Sequence, residues 1–267
     1  MLHNRINQKF AVAVVYIASM LMNSIDSTVV NVALPTLGRE FGISPAQIES
    51  VIIGYLVSLA VFIPASGWMG DRFGYKRVFL LALTIFTTAS ALCGLAQTLD
   101  QLALFRVLQG AGGGLLTPVG MALLYRTFPP EERIGVSRIL MIVTIIGPAS
   151  GPVIGGTIIE HWSWRWIFYV NLPVGIIGLI FGLLFLEENF EPKAGRFDLP
   201  GFVLAGVGFG SFMYALSEGP VKGWGSPRSL PPASSASSCW WSSSRTNCAP
   251  KNRWCSSVFT AIACSGG

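Results

Sequence analysis

The sequence is poor in charge. Only 12% of its 267 residues are Asp, Glu, Lys or Arg, about half the share found in an ordinary soluble domain. It has two histidines, while 52% of the residues are hydrophobic. The apolar residues form continuous runs and do not alternate with polar ones, which argues against transmembrane strands. Scarce charge and long apolar runs exclude an ordinary soluble enzyme and indicate a chain that is solvated by lipid.

Seven apolar runs are candidates for crossing a membrane. A hydrocarbon core of about 30 Å needs about 20 mostly apolar residues in a helix. We therefore predict an all-α, polytopic membrane protein with a six-helix bundle over residues 10–186 and one extra span. The runs are Phe10–Val32, Ile48–Ser66, Val78–Gln97, Leu102–Tyr125, Ile134–Ile158, Trp166–Leu186 and Gly201–Leu216. Residues 1–9 and 187–200 are predicted to be cytoplasmic, and residues 217–227 to form an outer loop.

Loop charges predict the orientation. If the N-terminus is inside, ten Lys or Arg residues face the cytoplasm and three face outward, as the positive-inside rule favours. The inner ones are Arg5, Lys9, Arg72, Lys76, Arg77, Arg126, Arg133, Arg138, Lys193 and Arg196; the outer ones are Arg39, Arg165 and Lys222. The first run is too long for a signal peptide and lacks a cleavage site. We predict a multi-pass plasma-membrane protein with its N-terminus inside.

Two charged residues fall inside predicted spans. Asp26 lies six residues before the outer end of the first run, which is roughly 9 Å deep at about 1.5 Å per residue. Arg106 lies early in the fourth run, at a comparable depth. Such charges are costly in lipid unless they face the bundle interior, water or each other. Two other placements remain open: Arg106 snorkels to the outer interface, or Asp26 faces an aqueous vestibule.

We expect Asp26 to be a titrating site. A low-dielectric cavity favours the neutral carboxyl, whereas a neighbouring guanidinium favours the carboxylate. An Asp26–Arg106 pair can therefore change its protonation state when the surrounding helices move. The variant Asp26→Asn in an intact transporter should then abolish proton-coupled transport.

A short charged segment separates the second and third runs. Gly67–Arg77 reads GWMGDRFGYKR and contains four charged residues and three glycines. Glycine lets the backbone turn tightly and lets helix ends approach closely. A charged segment between two such runs is typical of a loop in water between two spans. This hinge, as we call Gly67–Arg77, favours a polytopic transporter over an enzyme.

The fifth run contains a small-residue face. Gly147–Gly156 reads GPASGPVIGG, and Gly147, Gly151 and Gly155 recur every four residues. They share one helix face, which allows another helix to pack closely in the membrane. Pro152 removes a helical hydrogen bond and is expected to kink the span.

Four strings occur in the order found in one family. They are IDSTVVNVALP at Ile25–Pro35, the hinge, LALFRVLQGAGGG at Leu102–Gly114, and GPASGPVIGG. The chain resembles the major facilitator superfamily, in particular its fourteen-helix drug:proton antiporter branch, over roughly residues 10–225. WRWIFYVNLPVG at Trp164–Gly175 also resembles the segment that opens the sixth helix of that branch.

The resemblance implies residue roles. Asp26 and Arg106, together with Gln109 and Gly110, match positions linked to proton coupling. The conformational gate matches Gly67, Asp71, Arg72, Gly74, Lys76 and Arg77, and the antiporter helix string matches Gly147, Gly151, Pro152, Gly155 and Gly156. Tyr75 is a departure, because many members carry arginine there.

The implied function is proton-driven multidrug efflux. The expected partners are lipophilic or cationic small molecules, protons and the lipid bilayer, with no nucleic acid, cofactor, metal or catalytic residue. A metabolite or siderophore exporter on the same fold is the alternative, as is a regulatory half-transporter that pairs with another chain.

The composition changes after about residue 227. Residues 228–267 hold eleven serines, four of the five cysteines and no Asp or Glu. The four cysteines lack the close pairs of a zinc site; disulfides would require an outer location. We favour out-of-frame translation of this tail. The chain would then lack the second six-helix bundle and be a truncated, inactive N-terminal half.

Overall fold

The computed structural model describes residues 8–188, 199–204, 206–208 and 210, with the backbone alone at 45–47, 49 and 50. Within that part of the chain, all regular structure is helical. The helices are α1 (Gln8–Phe41), α2 (Pro45–Phe73), α3 (Tyr75–Leu95), α4 (Leu99–Thr127), α5 (Pro130–His161), α6 (Arg165–Tyr169) and α7 (Asn171–Phe185). Because α6 and α7 form one apolar stretch, six stretches are long and apolar enough to cross a membrane. The predicted all-α membrane fold is confirmed.

Local sequence explains several helix ends. The Thr98 side chain caps α4 by accepting the Gln101 N–H at 3.3 Å, which satisfies one free N–H of the first turn. α5 begins at Pro130, where a missing N–H does no harm, and Glu131 and Glu132 occupy its first turn. The break between α6 and α7 precedes Pro173, which cannot donate a hydrogen bond to the carbonyl four residues earlier.

Several helices extend beyond the predicted spans, α1 most of all at its C-terminal end. α1 continues to Phe41, so Asp26 lies fifteen residues, or about 22 Å, before the end of the helix. Pro35 and the polar residues after Val32 do not end the helix, and the depth of Asp26 in the membrane stays a prediction. The turn between α3 and α4 comprises residues 96–98.

The hinge is narrower than the sequence suggests. α2 continues through Gly67 and Gly70 to Phe73, and α3 starts at Tyr75. Gly74 alone carries the turn, with a φ of 94° that an L side chain rarely adopts. A Cβ on Gly67 would meet nothing within 4 Å. Among the hinge glycines, Gly74 provides the turn, Gly70 lies against the Tyr75 ring, and Gly67 makes no close contact.

The buried apolar side chains form two clusters. One includes Tyr16, Phe79, Phe86 and Leu115; the other includes Leu37, Leu102, Trp164 and Phe168. Along α1, α3 and α4 the two clusters are separated by buried polar residues. The core is therefore apolar at both ends and polar in the middle, where the candidate site lies.

The residues from Phe197 onward form a separate unit. A short apolar helix, Leu199–Gly208, lies in it and overlaps the predicted seventh span. The remainder of that span, the loop at 189–198, the outer loop at 217–227 and the tail at 228–267 lie outside the described residues. The domain boundaries predicted there therefore remain predictions.

Candidate functional site: a buried acid–guanidinium centre

Asp26 is the hub of a polar cluster within the bundle. Its Oδ2 accepts a hydrogen bond from Arg106 Nη1 at 2.6 Å. Its Oδ1 accepts the side-chain amides of Gln109 and Asn171, each at 2.9 Å. Asp26 and Arg106 are each 1% exposed. We call these four residues, Asp26, Arg106, Gln109 and Asn171, the acid–guanidinium centre; it joins α1, α4 and α7.

Arg106 is enclosed by protein and does not reach the outer interface. Its guanidinium carbon lies 4.0 Å from the centroid of the Tyr55 ring, a cation–π geometry. Its Nη1 also donates to Gln109 Oε1 at 2.8 Å. Its Nε is buried without a hydrogen-bond partner. The snorkelling placement of Arg106 and the vestibule placement of Asp26 are thus not what the structure contains.

Two further polar chains extend from the centre. On the side of α3, Ser90 Oγ accepts a hydrogen bond from Asn171 at 3.1 Å, and Cys93 Sγ donates to Gln109 Oε1 at 3.6 Å. On the side of α2, Tyr55 donates to Asn23 Oδ1 at 2.8 Å, and Asn23 Nδ2 donates to Thr117 Oγ1 at 3.3 Å. The centre therefore connects five helices.

Sequence reasoning missed Asn171, Ser90 and Tyr55. Asn171 could have been recognised, because it is a polar residue that interrupts the otherwise apolar run at WRWIFYVNLPVG. Ser90 and Tyr55 carry no comparable signal, because isolated hydroxyls are common in membrane helices. Only the helix packing places them beside the centre.

The centre can hold a charge that would be costly in contact with lipid. Three N–H groups donate to the carboxylate, and hydrogen bonds to the charged form stabilise it. A proton added to Asp26 would neutralise the carboxylate and remove the counter-ion of Arg106. Because a guanidinium stays protonated in proteins, protonation of Asp26 would leave Arg106 as a buried cation without its counter-ion.

The hinge residues form a second polar cluster at the end of α2. Asp71 Oδ1 accepts from Tyr75 Oη at 2.8 Å and from Arg126 Nη2 at 3.2 Å. The Arg126 guanidinium lies 4.2 Å from the Tyr75 ring centroid. The tyrosine that departs from the family pattern thus binds both members of the ion pair. Its hydroxyl contributes a hydrogen bond to Asp71 but no positive charge.

The basic hinge residues attach α3 to the end of α7. Lys76 Nζ donates to the carbonyls of Leu183, at 3.4 Å, and of Leu186, where a cation opposes the negative end of the helix dipole. Arg77 Nε lies 3.4 Å from Glu188 Oε2. Arg72 is exposed. Lys76 therefore connects the hinge to the C-terminal end of α7, and Arg77 connects it to Glu188 just beyond that end.

The glycine face of α5 packs against α1. A Cβ on Gly147 would meet the Ser24 side chain, and one on Gly151 the Thr28 side chain. Gly155 lies against the backbone of Val29. The shared face is the one that the four-residue spacing predicts. Gly156 is not part of it, because a Cβ there would meet nothing within 4 Å, and Pro152 is exposed within a helix that continues to His161.

These features define the class: a polytopic helical membrane protein with an ion pair buried in its bundle. Among the described residues there is no group of three potential metal ligands. The chain belongs to the Major Facilitator Superfamily, whose model matches residues 16–265. Members of this family are transporters rather than enzymes.

Curated relatives match about three quarters of this chain. Proteins named "Putative multidrug resistance protein MdtD" from Enterobacter sp. (strain 638) and Yersinia enterocolitica are 41% and 40% identical over 195 and 206 residues. These matches cover 73% and 77% of this chain but 41% and 43% of the relatives. The chain thus spans about two fifths of the length of the curated relatives it matches.

Two solved structures share the fold. The human organic anion transporter MFSD10 (TETRAN) aligns with a TM-score of 0.58 at 14% identity, covering 79% of this chain and 56% of that one. The POT family transporter PepTSo aligns with a TM-score of 0.58 at 16% identity, covering 85% and 50%. Each neighbour is matched over about half of its length.

Proposed function

We propose that the chain carries the proton-coupling half of a multidrug efflux antiporter in the plasma membrane, with its N-terminus in the cytoplasm. Asp26 and Arg106 are the proposed proton-coupling residues. The observation that carries the proposal is the buried ion pair, because charge is retained within a membrane bundle only at a cost. The relatives' printed name, multidrug resistance protein, supports the substrate class.

The geometry supports competition between a proton and a cation. The Asp26 carboxylate carries one negative charge, and the Tyr55 ring face is occupied by the Arg106 guanidinium, which a substrate cation would have to displace. In the state in which Asp26 carries a proton, a lipophilic cation that approaches the centre favours the ionised carboxylate and therefore releases that proton. Proton and substrate then occupy the transporter in turn, which is the requirement for antiport.

Conformational change is assigned to the two surrounding features. The proposed gate is the hinge, with Gly67, Asp71, Arg72, Gly74, Lys76 and Arg77, since its ion pairs connect α2, α3, α4 and the end of α7. The proposed sliding surface is the α5 string of Gly147, Gly151, Pro152, Gly155 and Gly156, of which three glycines lie against α1. Close packing through small residues allows helices to move past each other with little steric resistance.

Transport needs more than the described bundle. Alternating access in this kind of transporter depends on two repeats that rock around a shared site. The described residues supply one bundle of six spans. We therefore propose that the 267-residue chain alone does not export substrate, although its centre still binds protons.

The test separates proton binding from export. Purified chain is first brought to an acid pH at which Asp26 is proposed to carry its proton. It is then mixed in weakly buffered detergent solution with tetraphenylphosphonium, a lipophilic cation, and released protons are followed with a pH indicator. We expect release from the unmodified chain and from Asp100→Asn, which removes an exposed acid at the start of α4, but not from Asp26→Asn. Proton release that persists in Asp26→Asn would overturn the assignment of the coupling site.

Export is measured with the same chain. Cells that lack their own efflux pumps express the 267-residue chain and are loaded with a fluorescent cationic dye. We expect no energy-dependent dye loss. Proton-dependent export by this chain would refute the proposed need for a second bundle, while leaving the coupling site to the proton-release assay.

A further inference from the structure

Asn171 connects the buried carboxylate to two other elements. It is the first residue of α7 and is 3% exposed. Its Nδ2 donates both to Asp26 Oδ1 at 2.9 Å and to Ser90 Oγ at 3.1 Å. Ser90 in turn donates to the carbonyl of Phe168 at 2.8 Å. A single side-chain amide thus joins the acid of α1 to α3 and, through α3, to α6.

The segment beside Asn171 is a joint in the sixth span. α6 ends at Tyr169 and α7 begins at Asn171. Pro173 has no N–H for the carbonyl of Tyr169, so the helical ladder is interrupted here. The hydroxyl of Ser90 supports this joint from α3. The relative direction of α6 and α7 therefore depends on side-chain bonds as well as on the backbone ladder.

The two amides that donate to Asp26 differ in freedom. The Gln109 oxygen already accepts from Arg106 Nη1 at 2.8 Å and from Cys93 Sγ at 3.6 Å. In the part of the chain that the structure describes, no hydrogen bond reaches the side-chain oxygen of Asn171. Turning the Gln109 amide breaks three hydrogen bonds, the one it donates and the two its oxygen accepts, whereas turning the Asn171 amide breaks only the two that it donates.

This difference decides which side chain responds when Asp26 gains a proton. The new O–H is a donor, and a buried donor requires an acceptor. Its present neighbours, Arg106 Nη1, Gln109 Nε2 and Asn171 Nδ2, are all donors. Turning the amide of Asn171 supplies an oxygen to the O–H and withdraws the amide N–H from Ser90. The other titratable groups near the carboxylate are the phenol of Tyr55 and the thiol of Cys93.

We propose that Asn171 is a positioning residue that senses the protonation state of Asp26 and passes it to the joint between α6 and α7. The inference rests on the proposed proton-coupling role of Asp26. In the ionised state the amide holds the carboxylate and Ser90 together. In the protonated state the amide is turned, Ser90 loses a donor, and α7 is released from α3 at its first residue.

The test is infrared difference spectroscopy of the 267-residue chain in lipid, labelled with asparagine carrying a carbon-13 side-chain carbonyl. Spectra at acid pH minus spectra at alkaline pH report Asp26 through its carboxyl band and Asn171 through the labelled amide band. We expect both bands to respond with the same midpoint, and both responses to vanish in Asp26→Asn. Asn171→Ala should abolish the amide response, whereas Asn31→Ala, which removes an exposed asparagine of α1, should keep it.

The outcomes separate the two proposals. A carboxyl response without an amide response would overturn the role of Asn171 and leave the proton site intact. The absence of both responses would overturn both proposals. An amide response that survives in Asn171→Ala would assign the signal to another asparagine and refute the inference. If Asn171→Ala fails to fold, Ser90→Ala serves instead: it should displace the amide band at alkaline pH, because that amide loses one acceptor, and an unchanged band would count against the proposal.

Discussion

The contact between α3 and α4 predicts a large penalty for one added methyl group. Gly112 of α4 faces the backbone of α3: a Cβ there would lie 2.7 Å from Phe86 N and 2.9 Å from Ala82 O. Ordinary contact begins at 3.4 Å, so the closest pair is about 0.7 Å too short. Because these are backbone atoms, no side chain can rotate away. The variant Gly112→Ala must separate the two helices or distort one of them.

A matched variant isolates the steric part of this effect. Gly156 is also within a helix, but a Cβ there meets nothing within 4 Å. Both Ala variants gain up to about 1 kcal/mol of helix propensity, which cancels when they are compared. Overpacking of a filled interior costs about 1–3 kcal/mol. We therefore expect Gly112→Ala to be less stable than Gly156→Ala by about 1–3 kcal/mol.

Unfolding by titration with sodium dodecyl sulfate in mixed micelles measures this difference, with helix content followed by circular dichroism. The same displacement should disturb Gln109, which lies one turn before Gly112 on α4. Equal free energies of unfolding of the two variants, within about 0.5 kcal/mol, would show that α3 and α4 are not packed closely enough at Gly112 to exclude a methyl group.

Three further outcomes are expected. Asp26→Asn should destabilise the bundle by about 3–5 kcal/mol, and by more than Arg106→Met does. The first variant leaves an unpaired guanidinium, which stays charged, whereas the second leaves a carboxyl, which can become neutral by taking a proton. A greater loss of stability in Arg106→Met, measured by the same detergent titration, would contradict this. Gly74→Ala should lower the free energy of unfolding by about 1–3 kcal/mol, because residue 74 has a φ of 94°. The control is Gly135→Ala, since a Cβ at residue 135 would meet nothing within 4 Å. Equal thermal stability of the two variants in detergent would refute backbone strain at residue 74. Sequencing the gene downstream of the Trp224 codon should reveal an apolar span in another reading frame, and its absence would disprove the frame-shift reading of the tail.

The membrane fold was predictable because lipid imposes a simple rule. A segment that crosses hydrocarbon must be apolar over about 20 residues, and this is visible in composition alone. The six spans of residues 10–186 were found for this reason. Helix ends were less predictable, since α1 continues nine residues beyond Val32. Hydropathy marks where lipid ends, whereas a helix ends where its backbone loses hydrogen-bond partners.

The site was only partly predictable. Asp26 and Arg106 stand out because charge is rare in a span, and the resemblance added Gln109. Asn171 and Ser90 are neutral, and their importance depends on which helices meet. Similarly, the spacing of the α5 glycines predicts a shared face, but not that α1 is the partner or that Gly156 lies outside it.

The sequence by itself determined that this chain belongs in lipid and that two opposite charges are embedded in its spans, because hydropathy and charge are properties of single segments. The tertiary structure alone decided that those charges touch, that two neutral amides share the carboxylate, and that the oxygen of one amide accepts no hydrogen bond among the described residues. Such pairings bring together side chains up to 145 positions apart. They depend on the packing of whole helices, which no local pattern of residues specifies.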